Sequence, residues 1–307
     1  LAAVSWAREM CIRDRYREMF TFSFWILLNQ LMDLFYWRAG TPILARTAGA
    51  QAVTLFTLGI SFSQYFMTAS TAISGVIAPK IMQMVALDST KEQLTRMMIR
   101  VGRLQLALLS VILVSFISCG HDFLHLWVGK TIGDQTGTVW VGAVIVLLPL
   151  LVPLTQNTGL AILQALNIHK GRAIILFYSS LLCVILGYFI SLYYGTIGMF
   201  IGTAISLFIG QVLMINRYYA RTAGLDMRLF FRRTYGPLLL PSAVMILAGL
   251  GAVALLTLDN WFSFLAFAFC YGLLAVGTIW FFYLNRDERD MFLGPLQKLI
   301  PSRHDKN

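Results

Sequence analysis

The sequence is too apolar for a water-soluble domain. It has 307 residues, of which 58% are hydrophobic and only 12% are charged, and its mean hydropathy is +0.73. Soluble domains carry about 25% charged residues, so this composition excludes an ordinary soluble fold. The net charge of +10 is expected to reflect membrane topology and contact with anionic lipids, and we expect no nucleic-acid partner.

Eight apolar stretches predict transmembrane helices, since each has about 18 or more mostly apolar residues. They cover residues 18–38, 51–76, 102–120, 138–162, 173–193, 196–217, 236–258 and 261–284. At a rise of about 1.5 Å per residue, each can cross a hydrocarbon core of about 30 Å. The alternating ten-residue pattern of a membrane β-barrel is not seen. The sequence therefore predicts an all-α integral membrane protein.

The basic residues are distributed unequally between the two predicted sides of the membrane. If Arg17 lies inside, 21 of the 24 basic residues fall on the cytoplasmic side, and the exceptions are Arg38, Arg46 and Lys130. Because cytoplasmic connections are enriched in Lys and Arg, this asymmetry supports eight spans with both ends cytoplasmic. Residues 285–307 then form a cytoplasmic tail.

Segments outside the predicted spans also carry information. Residues 1–15 lack the pattern of a signal peptide and resemble translated adaptor sequence, so we interpret them as a non-native leader. Residues 81–100 and 218–234 have apolar and basic residues at helical spacing and are predicted to lie at the cytoplasmic interface. In the first of these, Ser89 and Glu92 predict a capping box.

The first predicted span holds Asn29 and Asp33, four residues apart and therefore on one face. An ionised Asp near mid-membrane costs roughly 2.5–3.5 kcal/mol, so it should face a protein interior or an aqueous cavity. It could couple transport to a cation or proton, or contact a sugar. Alternatively, it could be a structural group paired with Arg38 or Arg46.

The second predicted span carries a stripe of polar side chains. Its members recur at steps of three and four residues and are Thr54, Thr57, Ser61, Gln64, Thr68 and Thr71. Such a stripe is not expected to face lipid. It either lines a water-accessible lumen or packs against another helix, and the sequence leaves both open.

The fourth span contains two prolines, Pro149 and Pro153, which predict a kink. It ends in Gln156 and Asn157, and Gln164 follows Asn157 by seven residues, again on one face. In the sixth span, Gly198 and Gly202 form a GxxxG pattern that predicts close helix packing.

Catalytic chemistry is not indicated. The sequence has no recognisable nucleophile set, phosphate-binding glycine loop or paired-carboxylate site. His121 and His125 lie four residues apart beside Asp122, but are interpreted as interfacial histidines. The four cysteines have no metal or redox spacing. We therefore expect a non-enzyme with no metal and no cofactor.

From about residue 22 to 235 the chain resembles the oligosaccharide flippase branch of the polysaccharide-biosynthesis transporters. That branch shares a superfamily with the multidrug-extrusion antiporters and the lipid II flippase. The matching pieces are Asn29-Gln-Leu-Met-Asp33 through Trp37, Ile43-Leu-Ala, Ala78-Pro-Lys-Ile81, Val101-Gly-Arg103, Leu124-His-Leu-Trp-Val-Gly129, Gln156-Asn-Thr-Gly159, Gln164-Ala-Leu-Asn167, Tyr194-Gly-Thr-Ile-Gly-Met-Phe-Ile-Gly-Thr-Ala-Ile-Ser206 and Asn216-Arg-Tyr-Tyr219. Their order and spacing carry the resemblance.

The resemblance implies a fourteen-helix architecture with two six-helix lobes around a central lumen, plus two extra helices. Residues 16–234 would be the second lobe and residues 235–284 the last two helices, so the chain is expected to be a fragment of a two-lobe transporter and inactive alone. The candidate lumen-facing residues are Asn29, Asp33, Arg38, Ser61, Gln64, Thr68, Gln156, Asn157 and Gln164.

The implied function is to flip an undecaprenyl-diphosphate-linked oligosaccharide across the bacterial cytoplasmic membrane by alternating access. The expected partners are this lipid-linked substrate, membrane lipids and glycan-assembly proteins. The alternatives are a cation-coupled drug or small-molecule antiporter of the same superfamily, a membrane-embedded glycan polymerase or ligase, and a structural subunit without a lumen.

Overall fold

A computed structural model describes residues 2–168, 170–256 and 260–284, and all regular structure in these ranges is helical. The helices are α1 (Ala2–Arg38), α2 (Gly40–Thr47), α3 (Gly49–Ala86), α4 (Lys91–Ile132), α5 (Thr136–Thr155), α6 (Asn157–Ala165), α7 (Lys170–Leu207), α8 (Ile215–Tyr218), α9 (Met227–Thr234), α10 (Gly236–Leu255) and α11 (Trp261–Phe282). A short 3₁₀ turn joins α4 to α5. Two π-helical segments, Phe208–Met214 and Tyr219–Ala223, flank α8.

Four helical segments among the described residues are long and apolar enough to cross a membrane. They are Lys91–Thr155, Lys170–Ala223, Met227–Leu255 and Trp261–Phe282. The chain is accordingly a helical membrane protein. Helices α1 and α3 are not among the four, although both were predicted to span, because their polar residues lower their mean hydropathy. The count of eight spans stays a prediction.

The two longest segments are each folded back into a hairpin. The first turns at Gly133 and the second at Gly195, and both glycines have positive φ, 56° and 54°. Side chains bear a steric cost in that region, which glycine avoids. Each of these segments therefore contributes two antiparallel helices.

The glycines predicted to allow close packing do so within the second hairpin. A Cβ built on Gly202 would lie 2.7 Å from the Cα of Gly187, and one built on Gly198 would collide with the Ile190 carbonyl oxygen. No side chain fits at such separations, so the two helices meet backbone to backbone. The predicted packing role of the GxxxG pattern is confirmed.

Helices α3, α4, α5 and α7 surround the main hydrophobic core, and α10 and α11 pack on the outside of α4. A buried arginine stabilises the packing of α10 and α11 on α4. Arg103 of α4 donates from Nη1 to the Arg233 carbonyl at 2.8 Å and from Nη2 to the Tyr283 carbonyl, and it stacks on the Tyr283 ring at 4.4 Å. A cation placed at the ends of α9 and α11 is favourable, since helix C-termini carry partial negative charge.

The segment between α3 and α4 was predicted in part. Residues 81–100 are divided between two long helices, because α3 continues to Ala86 and α4 begins at Lys91, and their location at the cytoplasmic interface stays a prediction. The capping box forms one residue later than predicted. Thr90 is the N-cap, and it exchanges hydrogen bonds with Gln93 at 3.3 and 2.9 Å.

The fourth predicted span is a broken helix, and the break lies close to the two prolines that predict a kink. Helix α5 contains Pro149 and Pro153 and stops at Thr155, and α6 restarts at Asn157 after the non-helical Gln156. Proline lacks the N–H that an interior turn of helix needs, so the interruption follows directly from the sequence.

The predicted leader lies within α1, whose backbone is continuous from Ala2, and its foreign origin stays a prediction. The predicted tail lies outside the described residues.

Candidate functional site

A cavity of about 630 Å³ opens between α1, α3, the α5–α6 junction and α7. Its lining is Gln30, Leu31, Asp33, Leu34, Tyr36, Trp37, Arg38, Gln64, Met67, Thr71, Leu150, Pro153, Leu154, Asn157, Leu160, Arg172, Leu207 and Gln211. The lining combines apolar walls with amides and three charged side chains. Its size falls within the range of about 300–1,000 Å³ that is typical of ligand sites.

The charged residues of the cavity come from α1 and from the start of α7. Arg172 donates to the Asn29 side-chain oxygen at 3.3 Å and acts electrostatically on Asp33. Asn29 is held in turn by its own helix, because its amide donates to the Trp25 carbonyl at 2.7 Å. The cation that acts on Asp33 is therefore Arg172, rather than Arg38 or Arg46.

Two arginines and one aspartate give the cavity lining a net positive charge. Arg38 is exposed in the last turn of α1, where the helix C-terminus favours a cation. Asp33 lies five residues before Arg38 on α1, and Arg172 lies in the first turn of α7. The Asp33 carboxylate offsets one of the two positive charges. Both guanidinium groups line the same cavity and are available to an anionic ligand there.

The polar stripe of α3 lies on the exposed face of that helix. Its hydroxyl groups donate to carbonyls of their own helix; for example, Thr57 donates to Val53 at 2.8 Å and Thr68 donates to Gln64 at 2.9 Å. They therefore do not hold another described helix. Of the stripe, Gln64 and Thr71 line the cavity directly.

A buried polar cluster supports the floor of the cavity at the helix interruption. Asn157 donates to the Ser70 hydroxyl at 3.0 Å, and Ser70 donates to the Leu154 carbonyl at 2.8 Å. Gln105 of α4 donates to the Ser70 carbonyl at 3.0 Å. The Leu154 carbonyl, which the break leaves without a helical partner, thus accepts from the Ser70 hydroxyl. Because the same hydroxyl accepts from Asn157, it also fixes the position of that side chain.

The structure brings together some of the predicted site residues and separates others. Asp33, Arg38, Gln64 and Asn157 line the cavity, and Asn29 lies behind it in contact with Arg172. The remaining four do not line it. Ser61 and Thr68 share the face of α3, Gln164 lies beyond the junction, and Gln156 is buried and donates to Asn216 at 2.8 Å.

Sequence reasoning missed several lining residues, above all Arg172 and Gln211. Arg172 was assigned to a cytoplasmic connection because it precedes the apolar stretch of the fifth span. In the structure α7 already begins at Lys170, so Arg172 belongs to the helix and faces α1. Gln211 lies in the π-helical segment, whose wider turn shifts the register that ordinary helical spacing would give.

Residues 1–131 match the family described as "Polysaccharide biosynthesis protein". Over these residues the match confirms the predicted resemblance to the polysaccharide-biosynthesis family. Among solved structures, the chain matches "Lipid II flippase MurJ, inward closed conformation" with a TM-score of 0.59 and 15% sequence identity. The match covers 89% of this chain and 53% of the flippase, so the chain spans about half of that protein. At this identity the likeness concerns the fold. No curated protein matches the chain in sequence.

Proposed function

We propose that the chain contributes one lobe and two further helices to a transporter that flips an undecaprenyl-diphosphate-linked oligosaccharide across the bacterial cytoplasmic membrane. In this arrangement eight helices cross the membrane: α1, α3, α4, α5 with α6, the two halves of α7 with its continuation, α10 and α11. The single observation that carries the proposal is the cationic, amide-rich cavity beside the polar face of α3. The family match and the flippase-like fold support it.

The cavity suits the chemistry of this substrate. A diphosphate is recognised best by guanidinium groups, which can donate two hydrogen bonds at once to phosphate oxygens. Arg38 and Arg172 supply those groups. Gln64, Asn157 and Gln211 supply amides that can donate to and accept from sugar hydroxyls. Asn29 holds Arg172 by a hydrogen bond while the cavity is empty, and Arg172 turns to the phosphate when the substrate enters.

Transport then requires no bond to be made or broken. The lipid-linked sugar enters the polar cavity, and the helices rearrange so that the cavity opens to the other side. The exposed stripe of α3 gives the sugar a surface of hydroxyl groups along which it can move. We assign the other wall of the lumen to the second lobe of the transporter.

Ligand binding tests this function. The purified 307-residue chain in nanodiscs is mixed with undecaprenyl-diphosphate-linked oligosaccharide, with undecaprenyl monophosphate, or with a hydrophobic drug cation, and binding is measured by native mass spectrometry. We expect preference for the diphosphate-linked sugar. Equal binding of the monophosphate, or preference for the drug cation, would contradict the proposal.

A second candidate function is a cation-coupled antiporter of the same superfamily. The observation in its favour is Asp33, a carboxylate that lines the cavity beside Arg172. In that case Asp33→Asn would abolish the effect of a cation gradient on ligand release. A flippase that binds through its arginines would keep its ligand preference in the same variant.

A further inference from the structure

An open basic pocket lies where the end of α3 meets the start of α4. Its volume is about 320 Å³, and its lining is Lys80, Met84, Ser89, Gln93, Arg96, Met97 and Arg100. It has no residue in common with the polar cavity. Three of its seven lining residues are cations, and none of the seven is acidic. The pocket is therefore a separate, strongly positive site.

The turn between the two helices forms one side of this pocket. Asp88 has a positive φ of 52° and ends α3. Its N–H donates to the Val85 carbonyl at 3.1 Å, and the Ser89 N–H donates to the Met84 carbonyl at 3.0 Å. This pair of hydrogen bonds is a common way to end a helix and turn the chain back on it. Ser89 is thereby held beside Met84, and both line the pocket.

The capping box at the start of α4 prepares a neutral donor for the same pocket. Gln93 accepts from the Thr90 N–H through its side-chain oxygen at 2.9 Å. Because the amide oxygen is used in the cap, the amide presents its NH₂ group, which can only donate. The Ser89 hydroxyl can donate as well. The neutral groups of the pocket therefore suit a ligand rich in acceptor oxygens.

The three cations are brought together without an acidic partner. Arg96 and Arg100 are four residues apart on one face of α4, and Lys80 comes from α3. Like charges at this spacing repel one another. Asp88 and Glu92, the acidic residues nearest in sequence, do not line the pocket. Within the described part of the chain, Lys80 and Arg96 form no ion pair. An anion from outside the chain would relieve the repulsion.

The position of the pocket in the chain favours an anion that belongs to the membrane. Its residues fall between the predicted spans 51–76 and 102–120, in a connection whose basic residues predict the cytoplasmic surface. Met84 and Met97 add an apolar wall. A free inorganic anion gains nothing from such a wall, whereas a phospholipid carries its phosphate next to apolar chains.

We propose that this pocket binds the headgroup phosphate of an anionic glycerophospholipid, with the adjoining part of the lipid against the two methionines. The inference does not depend on the flipping of a lipid-linked sugar. It requires a preference for a lipid with a net negative charge over a zwitterionic lipid with the same phosphate, because the second carries a cation that the pocket repels.

The test is lipid binding to the full 307-residue chain in detergent, measured by native mass spectrometry with phosphatidylglycerol or phosphatidylcholine. Wild-type protein should prefer phosphatidylglycerol. Lys80→Gln combined with Arg96→Gln removes two exposed cations of the pocket. A Lys or Arg at a membrane surface strengthens the binding of anionic lipid about fivefold, so this double variant should lose about thirtyfold in affinity for phosphatidylglycerol. Its affinity for phosphatidylcholine should not change.

Two further double variants serve as controls. Arg217→Gln combined with Arg221→Gln removes two exposed arginines of the other segment predicted to be cytoplasmic, outside the pocket, and should keep the wild-type preference. Lys80→Arg combined with Arg96→Lys keeps both charges and should bind phosphatidylglycerol as wild type does. The melting temperature of each variant without lipid shows that it is folded.

Three results would overturn the proposal. The first is equal binding of the two lipids by wild-type protein. The second is an equal loss of phosphatidylglycerol binding in the Arg217 and Arg221 control, which would show that overall surface charge, and not the pocket, attracts the lipid. The third is displacement of phosphatidylglycerol by an equal concentration of inorganic phosphate, which would assign the pocket to a free anion.

Discussion

The replacement Arg172→Gln tests the polar cavity at the residue that the sequence did not reveal. Arg172 donates to Asn29 and acts on Asp33, so its guanidinium group is aimed into the space beside α1. We propose that it turns to the substrate diphosphate when the cavity fills. A hydrogen bond to a charged group contributes about 1.5–3 kcal/mol, which corresponds to a factor of about 10–150 in the dissociation constant.

The assay is binding of undecaprenyl-diphosphate-linked oligosaccharide to the full chain in nanodiscs. Arg172→Gln should weaken binding within that range, and Arg172→Lys should recover part of it, since Lys keeps the charge but not the forked geometry. Arg46→Gln is the matched control, because Arg46 is an exposed arginine of α2 that does not line the cavity.

A fall in affinity could also come from unfolding, because Arg172→Gln leaves the Asp33 carboxylate without its cation. The double replacement of Arg172→Gln with Asp33→Asn separates the two effects, since it removes the unpaired charge. We expect it to restore thermal stability but not affinity. Unchanged binding in Arg172→Gln, or an equal loss in Arg46→Gln, would refute the assignment of Arg172.

Three further predictions concern other parts of the molecule. Arg103→Met should lower the free energy of unfolding by about 1–3 kcal/mol, because one buried and one partly buried carbonyl lose a charged donor; a melting temperature equal to that of wild type would contradict this. Gly202→Leu should destabilise the hairpin of α7 by at least about 1–3 kcal/mol, whereas Gly251→Leu, at a site with open space, should have little effect in the same thermal assay. Residues 16–307 should not complement a flippase-null strain when expressed alone, since the chain spans 53% of the matched flippase; robust complementation would overturn the two-lobe arrangement.

The helical membrane fold could be predicted from composition and apolar length, because a bilayer admits few alternatives to helices. Effects of proline and glycine could also be predicted: the proline pair in α5 marks a break in the helix, and the GxxxG pattern marks close helix packing. The capping box forms at Thr90 and not at Ser89 as predicted, which shows a limit of prediction from local sequence. Neighbouring Ser and Thr residues offer the same chemistry, so only the tertiary position of the helix decides between them.

The candidate site was only partly predictable. Polar residues on α1 and α3 could be identified because they are costly in lipid, and Asp33, Gln64 and Asn157 do line the cavity. The cation that acts on Asp33 could not be predicted, because Arg172 is 139 positions away in the chain and comes near Asp33 only through the packing of α1 on α7. Gln156 was misplaced for a related reason, since the break at the α5–α6 junction turns it into the protein toward Asn216.

The most direct test of the proposed function is whether the substrate enters this cavity. The full chain is prepared with the photoreactive residue p-benzoylphenylalanine in place of Gln64, and separately in place of Leu247, which is 72% exposed on α10. Each protein is irradiated with isotope-labelled undecaprenyl-diphosphate-linked oligosaccharide, and the labelled adduct is located by mass spectrometry. We expect a saccharide adduct at position 64 that excess unlabelled substrate suppresses, and none at position 247. Equal labelling at both positions, or none at position 64, would contradict a substrate cavity at this site.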